Sequence, residues 1–82
     1  MKIIDVTIDG IQYHAINVLF KQDNKLIIRT KATSGQVFRV DYHKIHQIRF
    51  DNGEETVTVR ASLKSVGNNT KIQEIEFSVI NE

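Results

Sequence analysis

Three arginines spaced ten apart, Arg29, Arg39 and Arg49, are the first residues of this chain whose type and placement suggest chemistry. A guanidinium group holds carboxylates and phosphates through paired hydrogen bonds. Strand registers that set Ile28 against Val40, and Val40 against Ile48, predict the three arginines as lateral neighbours on one outer face. Lys31 and Lys44 extend the row. Like charges directly opposite one another on a sheet are destabilising. The row is therefore expected to meet an anion, either nucleic-acid phosphate or an acidic protein surface. The plainer alternative is a solubilising face that keeps strand edges from aggregating.

Asp41, His43 and His46 bring one carboxylate and two imidazoles into six residues. Zinc held there needs a further ligand or water, and His14 is remote in sequence, so no metal site and no cofactor are predicted. His46 falls on the inward phase, where a partly buried, hydrogen-bonded histidine is expected. Nucleophilic catalysis needs a hydroxyl or thiol activated by a base beside an oxyanion site. Cysteine is absent, and the four serines, Ser34, Ser62, Ser65 and Ser78, sit in loops or on outer strand faces without a glycine-rich elbow. Glu54 and Glu55 flank a turn, and Glu74 and Glu76 share a solvent face where nothing separates their pKa values. No catalytic residue is predicted, and the chain reads as non-enzymatic.

A second apolar face carries more information. In the run Ile11 to Phe20, read as one strand, Ile16, Val18 and Phe20 fall opposite the main core phase, as does Ile27 in the next run. Exposed together, they make a patch that demands a partner. The expected function is an interaction or assembly module that self-associates or docks into a larger protein assembly through these four residues. Nucleic acid held by the arginine row is the alternative partner.

The elements that must position these groups are strands. The chain has 82 residues and no proline, and short alternating runs joined by turn signals fill nearly all of it. Ile4, Val6 and Ile8 lead to Asp9-Gly10, a type I′ hairpin signal that pairs Val6 with Tyr13, Ile4 with Ala15 and Asp5 with His14. Thr33-Ser34-Gly35 predicts a second hairpin, facing Ile28 with Val40 and Thr30 with Phe38. Asp51-Asn52-Gly53-Glu54 turns the chain into Val57, Val59, Ala61 and Leu63, and Ile75, Phe77 and Val79 line the last strand. Lys64 is expected opposite Glu74. The spacing of Ile45 and Ile48 predicts a short helical turn near residues 42–46. The stretch from Val37 to Ile48, strand, turn and strand, resembles segments of SH3-like barrels and bacterial pleckstrin-homology-like domains. The predicted fold is a single all-β domain over residues 1–82, an antiparallel meander of about seven strands curled into a small barrel or roll.

Charge is uneven. The net charge is +1, yet residues 21–49 sum to +5 and residues 50–82 to −3. The longest apolar run is three residues, far below the roughly 20 needed for a membrane helix. No membrane partner is expected. The N-terminal stretch Met1-Lys2-Ile3-Ile4-Asp5 carries an acid where a secretion signal keeps its apolar region, and with cysteine absent a cytoplasmic location is expected.

Overall fold

Strands account for all the regular structure described except one 3₁₀ turn at Ala32–Ser34 in the computed structural model, which describes residues 4–80. Met1 to Ile3, part of the stretch weighed as a secretion signal, and residues 81–82 lie outside that range. The strands are β1 (Ile4–Ile8), β2 (Ile11–Ala15), β3 (Asn17–Lys21), β4 (Lys25–Lys31), β5 (Ile45–Asp51), β6 (Thr56–Asn68) and β7 (Ile72–Val79). They form one antiparallel sheet in the order β2-β1-β5-β6-β7-β4-β3. Among the described residues no ladder joins β2 to β3, so the sheet is not closed into a barrel. No helix among them is long and apolar enough to cross a membrane.

Local chemistry sets the hairpins. Asp9 and Gly10 take positive φ, 52° and 83°, which a two-residue type I′ turn requires. The register is the one expected, with Val6 opposite Tyr13, Ile4 opposite Ala15 and Asp5 opposite His14. Asn24, at φ 63°, closes the three-residue connection between β3 and β4. At the β6–β7 turn the Asn69 side chain accepts hydrogen bonds from the backbone N–H groups of Lys71 and Ile72.

Two irregularities bend the sheet. β6 pairs with β5 through Thr56 to Ser62 and with β7 through Ala61 to Asn68, shifting register between Leu63 and Ser65. Ile16 makes the other bend. Its N–H donates to the Arg29 carbonyl at 2.8 Å, although Asn17 is already the residue opposite Arg29. Two residues facing one is a β-bulge, and the extra residue reverses which side chains point inward. Tyr13 and Ala15 are buried before it; after it Val18 and Phe20 stand opposite the buried Ile28 and Leu26.

The core lies between the two halves of the bent sheet. Val6, Ile8, Ile48 and Phe50 come from one side, and Leu26, Ile28, Ile75 and Phe77 from the other. Each fully buried side chain of this size contributes about 1.5–3 kcal/mol. The two edge strands, β2 and β3, are separated in the chain by Ile16 alone.

The simple meander is corrected. Val37 to Asp41 form no strand, and Ile28 and Thr30 face Ile75 and Gln73 of β7 rather than Val40 and Phe38. The observed register is also the one compatible in charge. β7 sets Glu74 opposite Arg29, with Arg29 Nε donating to Oε2 at 3.4 Å, whereas the expected register put Arg39 there. Residues 35–41 instead run as a strap, with Phe38 and Val40 packed on the core and the Phe38 ring stacked on Tyr13 at 4.4 Å. Tyr42 and His43 form a turn and β5 begins at Ile45, so the described helical turn is the one at Ala32–Ser34 instead.

Candidate functional site

Side chains, not a ladder, hold the strap. The Arg39 N–H donates to the Tyr13 hydroxyl at 3.1 Å, and the Asp41 N–H donates to His46 Nε2 at 3.0 Å. The Gln36 amide binds the peptide of His14 on both sides, accepting from its N–H at 2.6 Å and donating to its carbonyl at 2.7 Å. His14 lies on β2, one of the two edges of the sheet. A side-chain amide there replaces the peptide of a missing neighbouring strand.

The other edge is different. Antiparallel neighbours alternate between pairs that exchange hydrogen bonds and pairs that do not. The Arg29 carbonyl turns toward β3, while Asn24 accepts from Val79 of β7 at 2.7 Å. Odd-numbered residues of β4 therefore face β3, and even-numbered ones face β7. It follows that Asn17, Leu19 and Lys21 exchange hydrogen bonds with β4, and that the N–H and C=O of Val18 and Phe20 point away from it. Among the described residues no strand pairs with that outer side. The defences usual on an edge strand, a central charge, a proline or a bulge in mid-strand, are absent from Asn17-Val18-Leu19-Phe20-Lys21.

Beside this edge a cleft of about 480 Å³ opens into the inner face. Ile4, Val18, Phe20 and Phe50 give it apolar walls, and Asp5 and Asp51 stand among its lining residues. Of its lining residues Phe20 is 47% exposed, while Val18 packs against the core.

The expected apolar patch of Ile16, Val18, Phe20 and Ile27 is thus divided. Val18 and Phe20 share the inner side and the cleft. Ile27, only 5% exposed, lies on the opposite face of β4, flanked by Leu19 and Glu76. Ile16 is the half-buried bulge residue. A continuous strand was the wrong premise, and the bulge is the reason.

The arginine row is not assembled either. Arg29 is on β4 in its ion pair with Glu74, Arg49 is on β5 between Thr7 and Thr58, and Arg39 is in the strap. Lys31 ends β4 opposite Ile72, and Lys44 precedes β5. What the sheet does place diagonally is Arg49 and Arg60, since Arg49 faces Thr58 and Gln47 faces Arg60.

His46 points inward as its phase predicted and, at 2% exposed, is buried more deeply than the partial burial expected. Nδ1 lies 2.5 Å from Asp9 Oδ2, and the other carboxylate oxygen of Asp9 accepts from the Gln47 N–H at 2.9 Å. The hydrogen bond from His46, then that from Gln47, holds the Asp9 carboxyl below the usual carboxylate range. Asp41 is lowered too, chiefly by the His43 N–H. These contacts tie the first hairpin, β5 and the strap together. Among the described residues no group of three His, Asp or Glu side chains is arranged to hold a metal.

Sequence reasoning missed Gln36, Leu19 and the Asp9–His46 contact. A gap of 37 residues separates the last pair, and no local pattern announces it. The signal for β3 was present, namely apolar residues on both faces of one run, which a bulge resolves. No family model matches the chain, and neither a curated protein nor a solved structure matches it.

Proposed function

We propose that this chain is a non-enzymatic interaction and assembly module of the cytoplasm, and that its docking site is the open edge of β3 with the adjoining cleft. In this reading the sheet is curled into a small roll, with its ends drawn together at Ile16. The carrying observation is the unequal treatment of the two edges: Gln36 binds the His14 backbone on the β2 edge, while the peptides of Val18 and Phe20 on β3 face outward. An extended partner segment gains backbone hydrogen bonds from such an edge, and pockets for alternate side chains give selectivity. Val18, Phe20 and the cleft supply those pockets.

Extended eight-residue peptides of alternating apolar and polar residues, titrated while the backbone amides are followed by NMR, test the site. Shifts concentrated at Val18 and Phe20, and lost in Phe20→Glu, are expected. Peptides that bind elsewhere, or none that move those amides, contradict it.

A second reading rests on the diagonal Arg49 and Arg60, which share an exposed outer face with Gln47 and Thr58. Phosphate contact there predicts retardation of labelled random DNA or RNA that weakens steeply with salt. Arg49→Glu abolishes it; retardation that persists in that variant counts against the site.

A further inference from the structure

We infer that the occupant of the β3 edge is a second copy of this chain, paired antiparallel through β3 about a two-fold axis at Leu19. The inference rests on the docking edge proposed above and adds the partner and the register.

Self-complementarity carries it. Antiparallel pairing centred on Leu19 sets Leu19 opposite the partner's Leu19, Val18 opposite the partner's Phe20, and Asn17 opposite the partner's Lys21. No like charges meet, and an aromatic side chain faces a β-branched one, a favourable cross-strand pair. The hydrogen bonding agrees with the side chains. Val18 and Phe20 turn their peptides outward, so both Val18–Phe20 pairs are the ones that exchange hydrogen bonds and the Leu19 pair at the axis is one that does not.

The rows continue across the seam. On the outer face Ile27 lies beside Leu19, so the pairing completes the row Ile27, Leu19, the partner's Leu19, the partner's Ile27. On the inner face Ile28 lies beside Val18 and Leu26 beside Phe20, so the partner's Phe20 extends the row that begins at Ile28. That ring arrives next to the cleft walled by Ile4 and Phe50. A net charge of only +1 opposes association weakly.

The chain has no cysteine of its own, so introduced cysteines report the register without interference. Residues in a non-hydrogen-bonded antiparallel pair have Cα atoms about 4.5 Å apart, within disulfide range. Under mild oxidation Leu19→Cys is expected to form a covalent dimer. Asn17→Cys alone and Lys21→Cys alone are expected not to, while an equimolar mixture of those two cross-links. Light scattering is expected to give twice the chain mass for the wild type and the single-chain mass for Phe20→Glu. Phe20 is half exposed in one chain, and the surface cysteine variants give the register even where glutamate disturbs folding.

A monomeric wild type, or Leu19→Cys that stays uncross-linked while Asn17→Cys or Lys21→Cys links to itself, overturns the pairing. If such a monomer still shows peptide-induced shifts at Val18 and Phe20, the docking edge stands with a different occupant; if those shifts are missing too, both fall.

Discussion

The side-chain amide of Gln36 meets the backbone of His14 twice, once as acceptor and once as donor, and thereby covers this position of the β2 edge. Nothing equivalent reaches Val18 or Phe20 among the described residues. Edge strands template association with other chains unless they are blunted. This asymmetry is what the proposed docking at β3 rests on.

Gln36→Ala uncovers the His14 peptide. The contact is exposed, so the loss of stability is expected to stay within about 1 kcal/mol. The larger effect is on aggregation: turbidity at high protein concentration is expected to rise faster than in the wild type. An unchanged aggregation rate contradicts the role given to this side chain.

Tyr13→Phe removes the acceptor of the Arg39 N–H while leaving the stacked ring in place. A cost of about 0.5–1.5 kcal/mol is expected in urea unfolding. Amides of residues 36–41 are expected to exchange faster, with those of β6 and β7 unaffected. A change spread evenly over the molecule speaks against a strap fastened at this point.

Asp9→Asn tests the contact between the first hairpin and β5. Its carboxyl is held below the usual range in the folded chain, so ionised Asp9 stabilises the fold above about pH 4. That contribution is lost as the pH falls through the lowered folded-state pKa. The Asp9 side chain is 45% exposed, so the gap is discounted for solvent screening to about 1 kcal/mol, or about 4–8 °C in Tm. The gap between wild type and variant is expected between pH 5 and 7 and closes in acid. A gap that widens toward pH 3 contradicts the assignment.

Much of this fold was legible from alternation and turn chemistry, and the errors trace to particular residues. Asp9-Gly10 and the inward phase of Val6, Ile8, Tyr13 and Ala15 determined the first hairpin, register included. Ile48, Phe50, Leu63, Ile75 and Phe77 were correctly assigned inward. Alternation cannot say which strand a strand will choose as neighbour, because that depends on contacts between distant residues. Arg29 takes Glu74, 45 residues away, in preference to the nearer strap. Lys64 pairs with Glu76 rather than Glu74 across the bulged β6–β7 ladder. A single bulge residue, Ile16, inverted the faces of Val18 and Phe20 and dissolved the patch that a regular strand implies. The candidate site was therefore visible as residue types and hidden as geometry.

Thr30 supplies a stability test independent of the edges. It is fully buried on the core side of β4, and its hydroxyl has no hydrogen-bond partner among the described residues. An unpaired buried hydroxyl is costly, so Thr30→Val, nearly equal in shape, is expected to raise stability by up to about 1 kcal/mol. Loss of stability by the same amount identifies a partner for that oxygen.

Amide hydrogen exchange at Val18 and Phe20, followed from dilute to concentrated protein, addresses the open edge most directly. The account predicts fast exchange at both positions in dilute solution and progressive protection with concentration, while His14 stays protected throughout. Strong protection of Val18 and Phe20 that is already present in dilute solution, and independent of concentration, would show that the chain covers this edge by itself and would contradict the account.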